Sequence, residues 1–204
     1  MLRCVCNSVE NKLNALIYVH GWNSSGESDT ATKVKELFED EFVVFCPTLT
    51  KNPQENIKLL RKLVLDCVLS GKEPVLVGSS WGGLFALIVA RLYSTRCVLI
   101  NPSLVPTENL KKYPGALDDG ETYKAYWKLQ RSVWGDAKYY KHIPMCFLLG
   151  LEDSVVNPEE NGLLYCNEAG HRVVHLNEGH RLSSESSFLA LRNEVLNLAN
   201  TVTQ

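Results

Sequence analysis

Val75-Leu76-Val77-Gly78-Ser79-Ser80-Trp81-Gly82-Gly83-Leu84 joins a short apolar run to a helix-length run through the pattern G-x-S-x-G. A strand that reverses sharply into a helix has this form. Glycines at the two spacings let the helix pack close against the turn, and the serine at the apex is held in a strained backbone with its hydroxyl above the sheet. Ser79 does not meet that spacing, so Ser80 is the candidate nucleophile. The structural alternative is a glycine-rich turn that merely connects strand to helix.

Outward from this stretch, apolar runs of strand length alternate with amphipathic stretches of helix length, the pattern of a mainly parallel α/β sheet. Strands are expected at 15–20, 42–46, 74–78, 97–101, 145–150 and 172–176. Most are continuously apolar, as strands covered on both faces should be. Residues 2–6 offer an additional edge strand, hairpinned onto the first through the polar residues 7–12. Asn52-Pro53-Gln54-Glu55 reads as a helix cap, a first-turn proline and a glutamate reaching back to the cap. Ile57, Leu60, Val64, Cys67 and Val68 then mark one helix face, and Gly71 ends it in the left-handed region. Residues 84–93 and 188–199 read as further helices, the second with Phe188, Leu191, Val195 and Ala199 on one stripe. Residues 106–142, rich in Lys, Asp, Gly and aromatics (Tyr113, Tyr126, Trp127 and Trp134 among them), depart from the alternation. They form either a small lid inserted into the sheet order or a long helical crossover.

A serine hydroxyl is a poor nucleophile unless a neighbouring base takes its proton. With the elbow first in the chain, the acid should follow a later strand and the base should follow the last one. The loop after the last expected strand is Asn177-Glu178-Gly179-His180, which makes His180 the base. His175 is expected to pack inside its strand, while His171 and His142 read as structural or exposed. The preceding strand opens onto Gly150-Leu151-Glu152-Asp153-Ser154-Val155-Val156. There Asp153 is favoured over Glu152, because Val155 and Val156 can bury behind it and hold the carboxylate towards the histidine. Its task would be to fix the imidazole tautomer and stabilise the imidazolium. Preorganised donors for an oxyanion would be the backbone N–H groups of Trp81, directly after the nucleophile, and of Trp22, with Asn23 as the alternative, in the loop His20-Gly21-Trp22-Asn23. His20 reads as a residue tying that loop down.

Composition narrows the remaining classes. The chain has 204 residues, 45% hydrophobic and 22% charged, enough for one domain with a substantial core. Twenty-one Lys and Arg against 23 Asp and Glu leave a net charge of −2, with no basic surplus for nucleic acid. No apolar run reaches the ~18 residues of a membrane span. Seven cysteines at irregular spacings, with Cys46, Cys97 and Cys146 inside apolar runs, read as reduced, mostly buried thiols of a cytoplasmic protein. Cys4-Val5-Cys6 lacks the second pair a zinc site needs, and no phosphate-binding or dinucleotide-binding glycine loop occurs. No metal or cofactor is expected.

His20-Gly21-Trp22-Asn23-Ser24-Ser25, Gly78-Ser79-Ser80-Trp81-Gly82-Gly83, Asn101-Pro102-Ser103 and Gly179-His180 together resemble the small bacterial esterases of the YqiA type, in the α/β-hydrolase superfamily. The resemblance runs in order from about residue 15 to 198. It implies a single three-layer α/β-hydrolase domain over 1–204, with a mainly parallel central sheet, helices on both faces and a small helical insertion. It also implies cleavage of small-molecule carboxylic esters or acyl thioesters by Ser80, Asp153 and His180. A thioesterase, amidase or C–C hydrolase on the same scaffold remains an alternative, as does a non-catalytic binding module of this shape. Trp22 and Trp81 stand where the family has smaller apolar residues, implying a narrower acyl pocket. Asn177-Glu178 departs from the usual glycine-rich approach to the histidine.

Overall fold

The computed structural model describes residues 14–117, 119–135 and 137–201. The expected strand at 2–6 lies outside them, as do Cys4 and Cys6. Six strands form one sheet, β1 (Asn14–Val19), β2 (Phe42–Phe45), β3 (Glu73–Ser79), β4 (Arg96–Ile100), β5 (Met145–Gly150) and β6 (Arg172–Leu176). All five pairings are parallel and the order is β2-β1-β3-β4-β5-β6. Chain order reverses between β1 and β3, which opens a crevice at their carboxyl ends. Four elements meet there: the loop after β1, the turn after β3, and the loops after β5 and β6.

Helices cover both faces, giving the three-layer α/β-hydrolase sandwich. On one face lie α1 (Asp29–Phe38) and α7 (Glu185–Ala199), which the apolar side chains Leu16, Val75, Val77, Val98 and Leu148 of the sheet meet. The opposite face carries α2 (Pro53–Leu69) and α3 (Trp81–Tyr93), joined by α4 (Pro106–Asn109), α5 (Gly120–Gly135) and α6 (Leu164–Ala169). Ile17, Leu76, Leu99 and Phe147 are fully buried beneath them. Each such side chain contributes roughly 1.5–3 kcal/mol of transfer free energy.

Two helices were not among those expected. In α1 the buried Ala31, Val34 and Phe38 do fall at helical spacing, but over only ten residues. Its start is set by Ser28, whose hydroxyl accepts the Ala31 N–H. α6 follows a π-helical turn over Glu159–Leu163, a geometry that breaks the 3.6-residue spacing. At α2 the Asn52 side chain caps Gln54 and Glu55 as expected. Glu55 does not reach back to the Asn52 N–H, however: Thr50 intervenes, its hydroxyl donating to Glu55 at 2.9 Å and accepting from Asn52.

The stretch 106–142 is the crossover between the neighbouring strands β4 and β5, and α5 packs along α3. Tyr126 is fully buried, Trp134 Nε1 donates to Leu104 O at 3.0 Å, and the Arg91 guanidinium donates to the carbonyls of Ser132 and Val133. Tyr123 and Trp127 face outward.

Strand ends differ from expectation in a way that matters for the site. His20, Cys46 and Asn101 stand just beyond their strands, in the carboxyl-end loops. Asn101 leaves β geometry with φ +43. The glycines of the elbow are required by contact. A Cβ on Gly78 would lie 2.6 Å from Ala86 Cβ, and one on Gly82 would lie 2.3 Å from the carbonyl oxygens of both Val19 and His20. Gly82→Ala is therefore expected to cost several kcal/mol or prevent folding. Gly120→Ala, where nothing lies within 4 Å, should be neutral or mildly stabilising. Chemical denaturation of the two variants, read by circular dichroism, checks the contrast.

Candidate active site

The sharp reversal from β3 to α3 gives Ser80 φ +52 and ψ −122, a conformation that L residues rarely adopt. Neighbouring backbone holds it there. The Ser80 N–H donates to Ile100 O at 2.8 Å, and the Ser80 carbonyl accepts from both Gly83 and Ser103 N–H at 2.9 Å. With its backbone fixed, the hydroxyl projects to 2.9 Å from His180 Nε2. The other ring nitrogen, Nδ1, lies 2.8 Å from Asp153 Oδ2. A carboxylate only accepts, so Nδ1 carries the hydrogen and Nε2 presents its lone pair to the Ser80 hydroxyl.

Asp153 is aimed by its own loop. Its Oδ1 accepts the N–H groups of Val155 and Val156 at 2.8 and 2.9 Å, and its side chain is almost wholly buried. The two valines thus hold the carboxylate with backbone donors, and Val156 is buried while Val155 is only half-buried. Glu152 is exposed. The three residues singled out from sequence, Ser80, Asp153 and His180, are brought together in one hydrogen-bonded line.

The loop after β1 passes directly beside the serine. A Cβ on Gly21 would meet Ser80 Cβ at 3.3 Å, a tight contact that glycine avoids. Trp22 follows in this loop and Trp81 opens α3, with their rings edge-on at 5.1 Å. The Trp81 ring is pinned in turn, its Nε1 donating to the Tyr126 hydroxyl at 3.0 Å. His20 anchors the loop as expected: Nε2 accepts the Leu49 N–H at 2.9 Å and Nδ1 donates to Gly21 O at 2.8 Å. Burial lowers its pKa, consistent with a neutral ring that must accept at one nitrogen.

The other histidines stay apart from this line. His171 is stacked against Phe147 and Tyr165, and burial lowers its pKa to about 4. His142 is exposed against Tyr140. His175 was expected to pack within its strand but is exposed, on β6 at the edge of the sheet.

Sequence reasoning missed two residues that position this site. Asn101 Oδ1 accepts the Gly150 N–H at 2.7 Å, at the start of the Asp153 loop. Its Nδ2 donates to the carbonyls of Gly179 and His180 at 3.0 and 3.1 Å. One buried amide thereby links the loops bearing the acid and the imidazole. The second is Glu178, buried two residues before His180. It accepts from the Ser184 N–H and from the hydroxyls of Ser183 and Ser187, tying the histidine loop to the start of α7. Asn101 stood in the sequence only as part of the motif Asn101-Pro102-Ser103, and the signal for Glu178 was the serine cluster at 183–187 that follows it.

The sheet, its helices and the four loops at its carboxyl edge define an α/β-hydrolase fold. Comparable solved structures include the Pyrococcus furiosus esterase PF2001, with a TM-score of 0.69 at 15% identity over 93% of this chain and 82% of that one. Another is the monoacylglycerol lipase of Paleococcus ferrophilus, with a TM-score of 0.66 at 16% identity over 92% of this chain and 95% of that one. Within that class, the chain belongs to the uncharacterised protein family UPF0227, whose model matches residues 15–163. This agrees with the resemblance to YqiA-type proteins. Its relatives include the UPF0227 proteins of Pasteurella multocida, 30% identical over 111 residues, and of Pectobacterium carotovorum, 30% identical over 110. The matched stretch is 53% of this chain and spans 60% and 59% of those two relatives.

Four hydrogen bonds hold the Glu178 carboxylate, and they lower its pKa from 4.5 to about 2. A depressed folded-state pKa means stability that is fully present above the unfolded value and lost as pH falls through the folded one. Wild-type protein should therefore lose stability between about pH 4.5 and 2. Glu178→Gln should be less stable at pH 7 and show a flatter acid limb across that window. Thermal melts from pH 2 to 7 on both proteins check this.

Proposed function

We propose that this chain is a serine hydrolase that cleaves carboxylic esters through an acyl-enzyme on Ser80. The observation that carries the reading is the unbroken line from Asp153 Oδ2 through the His180 ring to Ser80 Oγ, with contacts of 2.8 and 2.9 Å. As Ser80 Oγ bonds to the ester carbonyl carbon, its proton passes to His180 Nε2. Asp153 stays ionised, holding the ring in the required tautomer and stabilising the imidazolium. The carbonyl becomes an oxyanion met by the backbone N–H groups of Trp22 and Trp81. Trp81 suits this role because N–H groups in the first turn of a helix lack intrahelical acceptors and stand at its positive end. Collapse breaks the ester C–O bond, and the leaving alcohol takes the proton from His180. Water then attacks the acyl-enzyme with His180 as base, releasing the acid and restoring Ser80.

An acyl thioester would follow the same course with a thiol leaving. No step calls for a metal or an organic cofactor. The esterases and lipases among the structural neighbours support the ester reading. The five cysteines of the described residues are free thiols, which fits a cytoplasmic enzyme. No helix among the described residues is long and apolar enough to cross a membrane.

With 4-nitrophenyl acetate as substrate, Ser80→Ala should lower kcat about 10⁴-fold or more, and Asp153→Asn by about 10³ to 10⁴. Both variants should keep the wild-type circular dichroism spectrum. Wild-type turnover by folded Ser80→Ala would overturn the assignment.

A further inference from the structure

The space in front of Ser80 is not built as an acyl tunnel. On the α2 and α3 side of the sheet, the volume beside the serine is filled. Trp81 stands edge-on between Trp22 at 5.1 Å and Phe85 at 4.8 Å, and Phe85 and Tyr126 are fully buried. The open space runs from Ser80 over the loop after β1 to the first turn of α1, bounded by Trp22 and Tyr113. It is a cleft of about 490 Å³, within the range of small-molecule sites. Most such sites are lined mainly by apolar side chains. Here Asn23, Ser24, Ser25 and Thr30 add polar groups to a lining that also includes Trp22 and Tyr113, and Ser80 and His180 open onto the same space.

Two charged side chains reach the cleft, Asp29 and Arg181. They form no ion pair with each other, and among the described residues no carboxylate pairs with Arg181. Asp29 sits in the first turn of α1, where its charge complements the helix N-terminus. Arg181 directly follows His180 and is exposed. Arg181 lines the same cleft as Tyr18, Ser80 and His180. A guanidinium fork with no carboxylate partner, next to the base and above a polar cleft, matches the oxygens of a carboxylate or phosphate.

We propose that the substrate is a small hydrophilic ester carrying an anionic group, carboxylate or phosphate, which Arg181 binds while Ser80 attacks the ester carbonyl. This rests on the hydrolase function proposed above. Arg181 supplies recognition and takes no part in proton transfer.

The test uses matched ester pairs at low ionic strength. For carboxylate, 4-nitrophenyl hydrogen succinate is compared with 4-nitrophenyl pentanoate. For phosphate, 3-acetoxypropyl phosphate is compared with propyl acetate in a pH-stat. In wild type, the anionic member of at least one pair should have a kcat/KM at least about tenfold higher, the worth of one charge-assisted hydrogen bond. Which pair responds identifies the anion. Arg181→Gln should collapse that ratio towards one, Arg181→Lys should retain part of it, and added salt should shrink it. Equal or inverted ratios with measurable turnover, or a ratio unchanged in Arg181→Gln, would overturn this proposal and leave the hydrolase function standing. Absence of turnover of all four esters by folded protein would overturn both.

Discussion

At Ser80 the chain must leave β3 and enter α3 within a single residue, and the site depends on how that reversal is held. A positive φ on a residue with a side chain costs on the order of 1–3 kcal/mol. The surroundings leave no other path. Gly78 and Gly82 admit contacts that a Cβ would forbid, and Ile100 and Ser103 clamp the serine backbone on both sides. The strain fixes the direction of one Cα–Cβ bond, and therefore of one hydroxyl. An imidazole 2.9 Å away is useful only if that direction is fixed.

The same edge of the sheet sets the other two members of the line. Parallel strands place their carboxyl-end loops side by side, and here backbone contacts join those loops. Glu152 N–H donates to Glu178 O at 3.0 Å, and Gly150 is glycine where a Cβ would lie 2.5 Å from the carbonyls of Glu178 and Gly179. Asn101 binds both loops from the end of the neighbouring strand, a few residues along the chain from the Ser103 amide that holds Ser80. Acid, base and nucleophile are thus registered against one short turn, Asn101-Pro102-Ser103. Hydrogen bonds from rigid strand ends give such a site its precision more readily than long flexible loops would.

Residues whose geometry is local were legible in the sequence. The elbow glycines and the apolar strands follow from short-range pattern, while Asp153 and His180 were singled out by the order of the loops along the chain. Strand ends were less so. Asn101 and His20 continue apolar runs in sequence, but each turns out of β geometry because its side chain has distant backbone groups to bind. Such partners, 29 and 49 residues away, leave no periodic trace. Helix α1 went unread for a different reason: it is only ten residues long, with three buried side chains to mark its face. The lining of the cleft was also out of reach, since it depends on which loops the fold brings beside Ser80.

The central claim is that Ser80 is an activated nucleophile, and a fluorophosphonate probe reads that directly. Folded protein treated with the probe, digested and mapped by mass spectrometry should carry one adduct on the peptide containing Ser80, and labelling should disappear in His180→Ala. Folded wild-type protein that takes no adduct, or carries it on another residue, would contradict the account.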